Sequence, residues 1–313
     1  MKILVTVPIS TFPEACNILN KFGEITYLEY PSYDSILEII EDYDGFIPNA
    51  RTKIDDNLLS KAKNLKVIAM PSMGIDHIDQ QSCKKHNVEL HCLADNKSFI
   101  RNIHSTSEYT LGLILSLLKK FPWSSSSVID KGNWLATNFR GFDLQNKTVG
   151  IIGYGNIGSQ LDKLLSSFEV NTLKCDPYIE QLDDTYVDLN TLLLNSDIIT
   201  LHVPLTEETK NMINKNCFNK MKEVFFINAS RGQVINDLDL IQALENGNVK
   251  AAALDVLNEE SPDGVDDHVL VNYARNNGNL LITPHCGGSS TDGLRQIFNY
   301  SAELIVKRLE SFK

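Results

Sequence analysis

The sequence predicts an α/β protein of two parallel-sheet units, and three observations carry that expectation. Short apolar runs alternate with helical patterns along almost the whole chain, as βαβ units require. A long segment, roughly Ile103 to Lys119, interrupts the series with Leu111, Ile114, Leu115 and Leu118 at helical spacing. A final helical stretch after His285, "TDGLRQIFNYSAELIVKRLESF", has no strand behind it and is expected to return to the first unit, making that unit discontinuous. In chain order the first unit reads as the strands "KILVTV", "GFIP", "LKVIAM" and "VEL". The second reads as "TVGIIG", "VNTLKCD", "DIITLHVP", "VFFINAS", "VKAAALDV" and "NLLITPH". The expected division is residues 1–98 with 288–313 in one unit and 99–287 in the other. Within the second unit, the polar stretch "FPWSSSSVIDKGNW" reads as a loop or a weak helix.

Composition narrows the function. With 313 residues, 42% of them apolar, the chain can bury real cores, so a globular protein is expected. A net charge of −11 without a Lys/Arg-rich run argues against nucleic acid or a membrane surface, because phosphate affinity needs clustered cations. A small-molecule partner fits better. Met1 leads straight into strand-like "KILVTV", so no signal peptide is expected, and no apolar run is long enough to span a bilayer. Six scattered cysteines without a Cys-x-x-Cys suit a reducing cytosol. Cys83, His86, His91 and Cys92 are zinc-like ligand types, but adjacent His91 and Cys92 would point to opposite faces of a strand, so no metal is expected.

A cofactor signal stands at the start of the second unit. "TVGIIGYGNIGSQLDKLL" carries Gly153, Gly155 and Gly158 as G-x-G-x-x-G, directly after a strand and opening an amphipathic helix. Such glycines permit a tight turn, close approach of a pyrophosphate and helix–strand packing, with the phosphates at the helix N-terminus. The bare pattern is weak, but context strengthens it. Asp176 ends the next strand, eighteen residues after Gly158, where an acid accepts from a ribose 2′-hydroxyl and repels a 2′-phosphate. NAD is therefore expected over NADP. The plain alternative is a glycine turn with a surface aspartate.

Three further strand ends fall on the same carboxyl edge, where open α/β sheets bind ligands. They carry Arg231 in "NASRGQ", Glu260 in "LDVLNEES" and His285 in "TPHCGG". A lone strand-end arginine is often a surface cation, and a lone histidine is more often structural. Together beside a nicotinamide they describe the reduction of a 2-keto acid. The planar guanidinium of Arg231 matches a carboxylate and the adjacent carbonyl oxygen. His285 can exchange the proton, with a carboxylate neighbour fixing its tautomer and favouring the imidazolium. Glu260 is the candidate partner and Glu259 the rival.

The chain resembles the D-isomer-specific 2-hydroxyacid dehydrogenase family. Several motifs occur in the family's order: "LKVIAMPSMGIDHID", "STSEYTLGLILSLL", "GFDLQNKTVGIIGYGNIGSQL", "DIITLHVPLTEETKNMI", "FINASRGQVI" and "LITPHCGGSS". The resemblance implies two Rossmann-like domains, the cofactor domain inserted into a discontinuous substrate domain, and a homodimer formed through the cofactor domain. It implies catalytic roles for Arg231, Glu260 and His285, and a nicotinamide-facing Asp255. It implies a cofactor cleft lined by Gly153, Gly155, Asn156, Ile157, Gly158, Asp176, His202, Val203, Pro204, Thr209, Ala229, Ser230, Arg231, Asp255, His285 and Gly288. It also implies that Met73, Gly74, Ile75, Asn102 and Arg231 bind the substrate.

Departures from the family pattern bear on substrate choice. "SMGID" puts Ser72 and bulky Met73 at the carboxylate-binding turn, and "NARTK" puts Asn49 where phosphoglycerate enzymes carry an arginine, leaving Arg51 or Lys53 as substitutes. The glutamate segment "NEESPDG" is longer than the usual E-x-E-P. Nothing follows Lys313 in this sequence, so a small regulatory domain is not expected. The expected function is NAD-dependent interconversion of a 2-keto acid and a D-2-hydroxy acid. The alternative is a dinucleotide-responsive protein-interaction scaffold of the corepressor type on the same fold.

Overall fold

The computed structural model describes residues 1–179, 183–261 and 264–313. The backbone divides into a unit formed by Met1–Ile103 with Ser290–Lys313 and a unit formed by His104–Ser289. Pro262 and Asp263 of the long glutamate segment lie outside the described residues.

Among the described residues the first unit holds the strands β1 (Lys2–Val5), β2 (Glu24–Tyr27), β3 (Gly45–Ile47), β4 (Val67–Met70) and β5 (Glu89–Cys92). They form one parallel sheet in the order β2-β1-β3-β4-β5. Helices α1 (Pro13–Phe22), α2 (Tyr33–Ile39), α3 (Asp56–Lys61), α4 (Gln80–Lys85) and α5 (Lys97–Ile100) connect them. All four residues of the inner strand β4 are buried, as expected of a parallel sheet covered on both faces. The last helix, Thr291–Glu310, packs into this unit's core through Ile297, Phe298, Ala302, Ile305 and Leu309. A Cβ at Gly45 would sit 2.9 Å from both Ile305 Cδ1 and Leu309 Cδ1, so that glycine lets the helix lie on β3. Strand β2 is absent from the sequence reading. It is a sheet edge whose residues are exposed or half-buried, and its "EITY" offers no continuous apolar run.

The second unit holds β6 (Thr148–Ile152), β7 (Asn171–Cys175), β8 (Ile198–Leu201), β9 (Val224–Asn228), β10 (Val249–Leu254) and β11 (Leu280–Ile282). Its sheet is parallel in the order β11-β10-β9-β8-β6-β7. The helices are α6 (Ser105–Lys119), α7 (Phe121–Lys131), α8 (Asn156–Leu165), α9 (Leu189–Asn195), α10 (Lys215–Phe218), α11 (Asp237–Glu245) and α12 (Val269–Asn276). Every residue of β8 and β9 is buried, which explains their unbroken apolar spelling. The chain leaves β6 toward β7 on one side and resumes at β8 on the other, so a crevice opens between β6 and β8 at their carboxyl ends.

The Ser-rich stretch is a helix rather than a loop. Pro122 stands in the first turn of α7, and Gly132 ends it in the left-handed region at φ 61°. Ser127 is the helix's buried residue, so no apolar stripe marks it in the sequence.

Candidate active site

The glycine turn sits at the mouth of the crevice. Gly153, one residue past β6, has φ +88°, and a Cβ there would lie 2.7 Å from the carbonyl carbon of His202. A side chain at Gly158 would meet Gly153 O at 2.3 Å, so this glycine lets α8 start against the turn. Gly155 differs: a Cβ there would meet nothing within 4 Å. That open face adjoins the N-terminus of α8, whose cap residue Gly155 provides no side-chain hydrogen bond. Asn156 and Ile157 form the first turn of the helix.

Asp176 follows β7 directly and is held by two backbone donors, Tyr154 N to Oδ2 at 2.9 Å and Tyr178 N to Oδ1 at 3.0 Å. Each carboxylate oxygen keeps a further lone pair for a ribose hydroxyl. Across the crevice, His202 N bonds Ile152 O at 2.7 Å. The His202 ring lies with Nε2 3.0 Å from Thr200 Oγ1 and with Nδ1 sealed from solvent and unpartnered. Burial pushes this imidazole down to about 3. Val203 and Pro204 continue the loop, which Thr209 closes by donating to Pro204 O and accepting from Thr206 N at 2.8 Å.

Three adjacent strands, β9, β10 and β11, lead into the segments that carry the candidate catalytic side chains. Asn228 ends β9 fully buried and shapes the turn that follows it. It accepts from Ser230 N at 3.0 Å and Ser230 Oγ at 2.8 Å, and donates to Arg231 O at 2.9 Å. Ala229 is buried behind this turn. Arg231 itself is half-buried, with Nη1 2.9 Å from Ser230 O. The glycine after it is dictated by packing. A Cβ at Gly232 would come within 2.0 Å of Leu257 C, because the backbone after β10 lies directly on it.

That neighbouring segment carries the glutamate. Glu260 Oε1 stands 2.5 Å from His285 Nδ1, and both side chains are about one-third exposed, at 34% and 36%. The structure thus puts Glu260, and not Glu259, on the ring. A carboxylate only accepts, so Nδ1 carries the hydrogen and the ring's orientation is fixed. Asp237, at the start of α11, takes Asn258 Nδ2 at 3.5 Å and His268 Nε2 at 3.4 Å, which braces the segment against α11. Burial raises the Asp237 carboxyl, while His268 opposes the rise.

Asp255, 1% exposed, does not point an idle carboxylate outward. It bonds the turn around His285 through Thr283 Oγ1 at 2.6 Å, Cys286 N at 2.8 Å and Gly287 N at 2.7 Å. Gly288 is exposed, with open space where a side chain would be.

The remaining predicted residues belong to the first unit. Ser72 Oγ donates to Gly74 O at 2.7 Å and tightens the Met73–Gly74–Ile75 turn, where Met73 is exposed. Asn102 Nδ2 bonds Ser98 O at 3.3 Å. Asn49 is turned inward, bonded to Thr6 Oγ1 through its N–H at 3.0 Å, while Arg51 is exposed and Lys53 pairs with Asp55 at 3.0 Å. Of the zinc-like residues, Cys83 and Cys92 are buried, His86 Nε2 lies 2.7 Å from Asp56 and His91 Nε2 3.1 Å from Glu89. The sequence reading assigned no role to Gly232, Thr283 or Tyr109. For Gly232 the signal was there, an arginine followed at once by glycine.

The second unit has the make-up of a dinucleotide-binding domain with an imidazole–carboxylate pair on its rim. Residues 111–287 match the model of the D-isomer specific 2-hydroxyacid dehydrogenase, NAD binding domain. The chain is 34% identical to the D-3-phosphoglycerate dehydrogenase of Archaeoglobus fulgidus over 98% of its own length and 57% of that protein's. It is 32% identical to the hydroxypyruvate reductase of Thermotoga maritima, over 93% of each. Its fold superposes on the D-lactate dehydrogenase of Aquifex aeolicus complexed with NAD and lactic acid with a TM-score of 0.84, at 25% identity, covering 99% of this chain and 96% of that one. The chain belongs to the D-isomer-specific 2-hydroxyacid dehydrogenase family. It spans a little over half the length of the phosphoglycerate dehydrogenases of Archaeoglobus fulgidus and Methanocaldococcus jannaschii, 57% of each. NAD, the family's cofactor, fits the residues present: an open glycine face, a helix N-terminus beside it and a fixed carboxylate at the end of β7.

Proposed function

We propose that the chain is an NAD-dependent oxidoreductase that interconverts a 2-keto acid and the corresponding D-2-hydroxy acid. The observation that carries this reading is the His285–Glu260 contact at 2.5 Å on the sheet edge that also bears Arg231. NAD, when bound, supplies the hydride in one direction and accepts it in the other. Arg231 grips the substrate carboxylate and polarises the carbonyl oxygen with the same planar fork. His285 gives its Nε2 proton to that oxygen as the alkoxide forms and takes it back in oxidation. Glu260 keeps the ring in register and balances its charge. Asp176 selects NADH over NADPH. The remaining cofactor and substrate residues named from the family resemblance, Asp255 apart, are proposed to act as that resemblance implies.

The relatives are named for phosphoglycerate, hydroxypyruvate and lactate, which share a carboxylate next to the reacting carbon. A 2-keto acid is accordingly the substrate class. The reading is tested by NADH oxidation, with NADPH in parallel, against glyoxylate, hydroxypyruvate, pyruvate, 2-ketoglutarate and 3-phosphohydroxypyruvate. His285→Ala is expected to lower turnover by about 10²- to 10⁴-fold with NADH binding kept. Full turnover in that variant refutes the assignment. Nothing in the relatives or the geometry favours the interaction-scaffold alternative.

A homodimer is part of the same proposal. On and after α7, Phe121, Ile129, Trp134 and Leu135 are 57%, 78%, 87% and 54% exposed, an apolar face that a second copy would cover. Sedimentation of Ile129→Asp with Trp134→Asp should give a monomer if that holds, and an unchanged dimer otherwise. A cytoplasmic location is likewise proposed. It is supported by six free thiols.

A further inference from the structure

The turn that presents His285 adopts a backbone conformation that non-glycine residues take up uncommonly. His285 has φ +57°, in the left-handed region that bulky side chains avoid. Its ring position depends on that conformation, because the Cα–Cβ direction follows φ and ψ. The neighbours supply the restraint. His285 N bonds Asp255 O at 2.8 Å, and the next two amides, Cys286 N and Gly287 N, converge on the two oxygens of the Asp255 carboxylate at 2.8 and 2.7 Å. Successive N–H groups beside a left-handed residue form a concave anion site, here filled by the protein's own buried carboxylate. Thr283 Oγ1 adds a third bond at 2.6 Å from the other side of the histidine. Tyr109 of α6 closes the cluster against Thr283 and Cys286, its phenol pushed up first by burial.

We propose that Asp255 is a positioning residue for His285. Its carboxylate holds the Thr283–Gly287 turn in the left-handed form that sets Nδ1 on Glu260 and leaves Nε2 to face the substrate. All three hydrogen bonds found for its two oxygens go to this turn. The proposal deepens the dehydrogenase reading and rests on it for the consequence in catalysis. The geometric claim stands by itself.

Asp255→Asn is the informative change. The amide keeps the shape but can accept at one oxygen only, and its NH₂ would oppose the N–H of Cys286 or of Gly287. Turnover should fall by about 10²-fold, the scale of a misplacement near 1 Å. The dissociation constant for NADH, followed by fluorescence titration, should change by less than about threefold. In a double-mutant cycle with Glu260→Gln, the second change should add little once the first is made, since both act through the alignment of one ring. Should NADH affinity fall in step with turnover and the two losses multiply, Asp255 is a cofactor ligand and the proposal is wrong.

A crystal structure of Asp255→Asn separates this from the functional reading. Relaxation of His285 to negative φ, with loss of the 2.5 Å contact to Glu260, supports the positioning role whatever the enzyme turns over. An unaltered turn overturns it. If no 2-keto acid is a substrate of the unmodified protein, the dehydrogenase reading falls while the structure of the variant still decides the role of Asp255. Should Asp255→Asn not fold, Thr283→Val removes one of the three bonds, and the same measurements apply with a smaller expected loss of about three- to tenfold in turnover.

Discussion

Gly232→Ala is the sharpest perturbation of the site that adds only one carbon. Its Cβ would be placed 2.0 Å from Leu257 C, 2.1 Å from Leu257 O and 2.3 Å from Asn258 N. Ordinary carbon contacts begin near 3.4 Å, so the two segments would have to part by more than about 1 Å. The obstacle is backbone, which cannot rotate away as a side chain would. The strain should cost about 2–3 kcal/mol, the upper range for overpacking, and lower the melting temperature by about 4–12 °C for a unit of this size. The segments that part carry Arg231 and Glu260, so a displacement near 1 Å should also reduce kcat/KM by about 10²-fold. NADH affinity, assigned in the proposed function to the glycine turn and Asp176 beyond β8, should stay within about threefold. Thermal unfolding followed by circular dichroism, NADH titration and steady-state kinetics on one preparation read all three. A variant with an unchanged melting temperature and full turnover would refute the claim that this contact sets the spacing of the two strand ends.

Other expectations follow from the same geometry. Arg231→Lys keeps the charge but loses the planar fork, so kcat/KM for a 2-keto acid should drop by about 10²-fold or more with NADH binding retained; a loss below threefold would mean that no bidentate grip exists. Asp176→Ala should narrow the preference for NADH over NADPH by at least about tenfold, and an unchanged ratio of kcat/KM values would place the discrimination elsewhere. His202 gives a pH signature. Its folded-state value near 3 lies below the usual 6.5, so the unfolded chain binds a proton that the folded one refuses. That costs nothing above about pH 6.5 and grows by up to about 1.4 kcal/mol per unit as the pH falls from 6.5 toward 3. Chemical denaturation without NAD at pH 7 and pH 5 should show a smaller loss of stability for His202→Gln than for the unmodified protein, and equal losses would contradict the burial of that ring.

The sequence displayed the fold where burial was two-sided and hid it where burial was partial. Strands such as "VFFIN" and "DIITL" are unbroken apolar runs because both faces of the inner sheet are covered. Edge strand β2 and the exposed helix α7 lack that contrast and went unread or were left between two states. The candidate site was legible for the same reason that the sheet was: strand ends locate side chains on one edge, so Arg231, Glu260 and His285 could be assigned to that edge. What sequence could not supply was the contact between segments remote in the chain. The choice of Glu260 over Glu259, the seat of Gly232 against Leu257 and the grip of Asp255 on the His285 turn all depend on how neighbouring loops lie against each other. The left-handed backbone of His285 is equally invisible, since nothing in "TPHCGG" marks the histidine rather than a glycine as the residue with positive φ.

The return of Ser290–Lys313 to the first unit has a consequence for how the chain is born. The second unit emerges whole from the ribosome, its strands contiguous between His104 and Ser289, and can fold as it is made. The first 103 residues cannot. They emerge before the second unit but lack Ile297, Phe298, Ala302, Ile305 and Leu309, so the face of their sheet that α1 covers in part stays incomplete until Ser290–Lys313 is made. A chain truncated after Ser289 should therefore engage chaperones through residues 1–103 while residues 104–289 are already native.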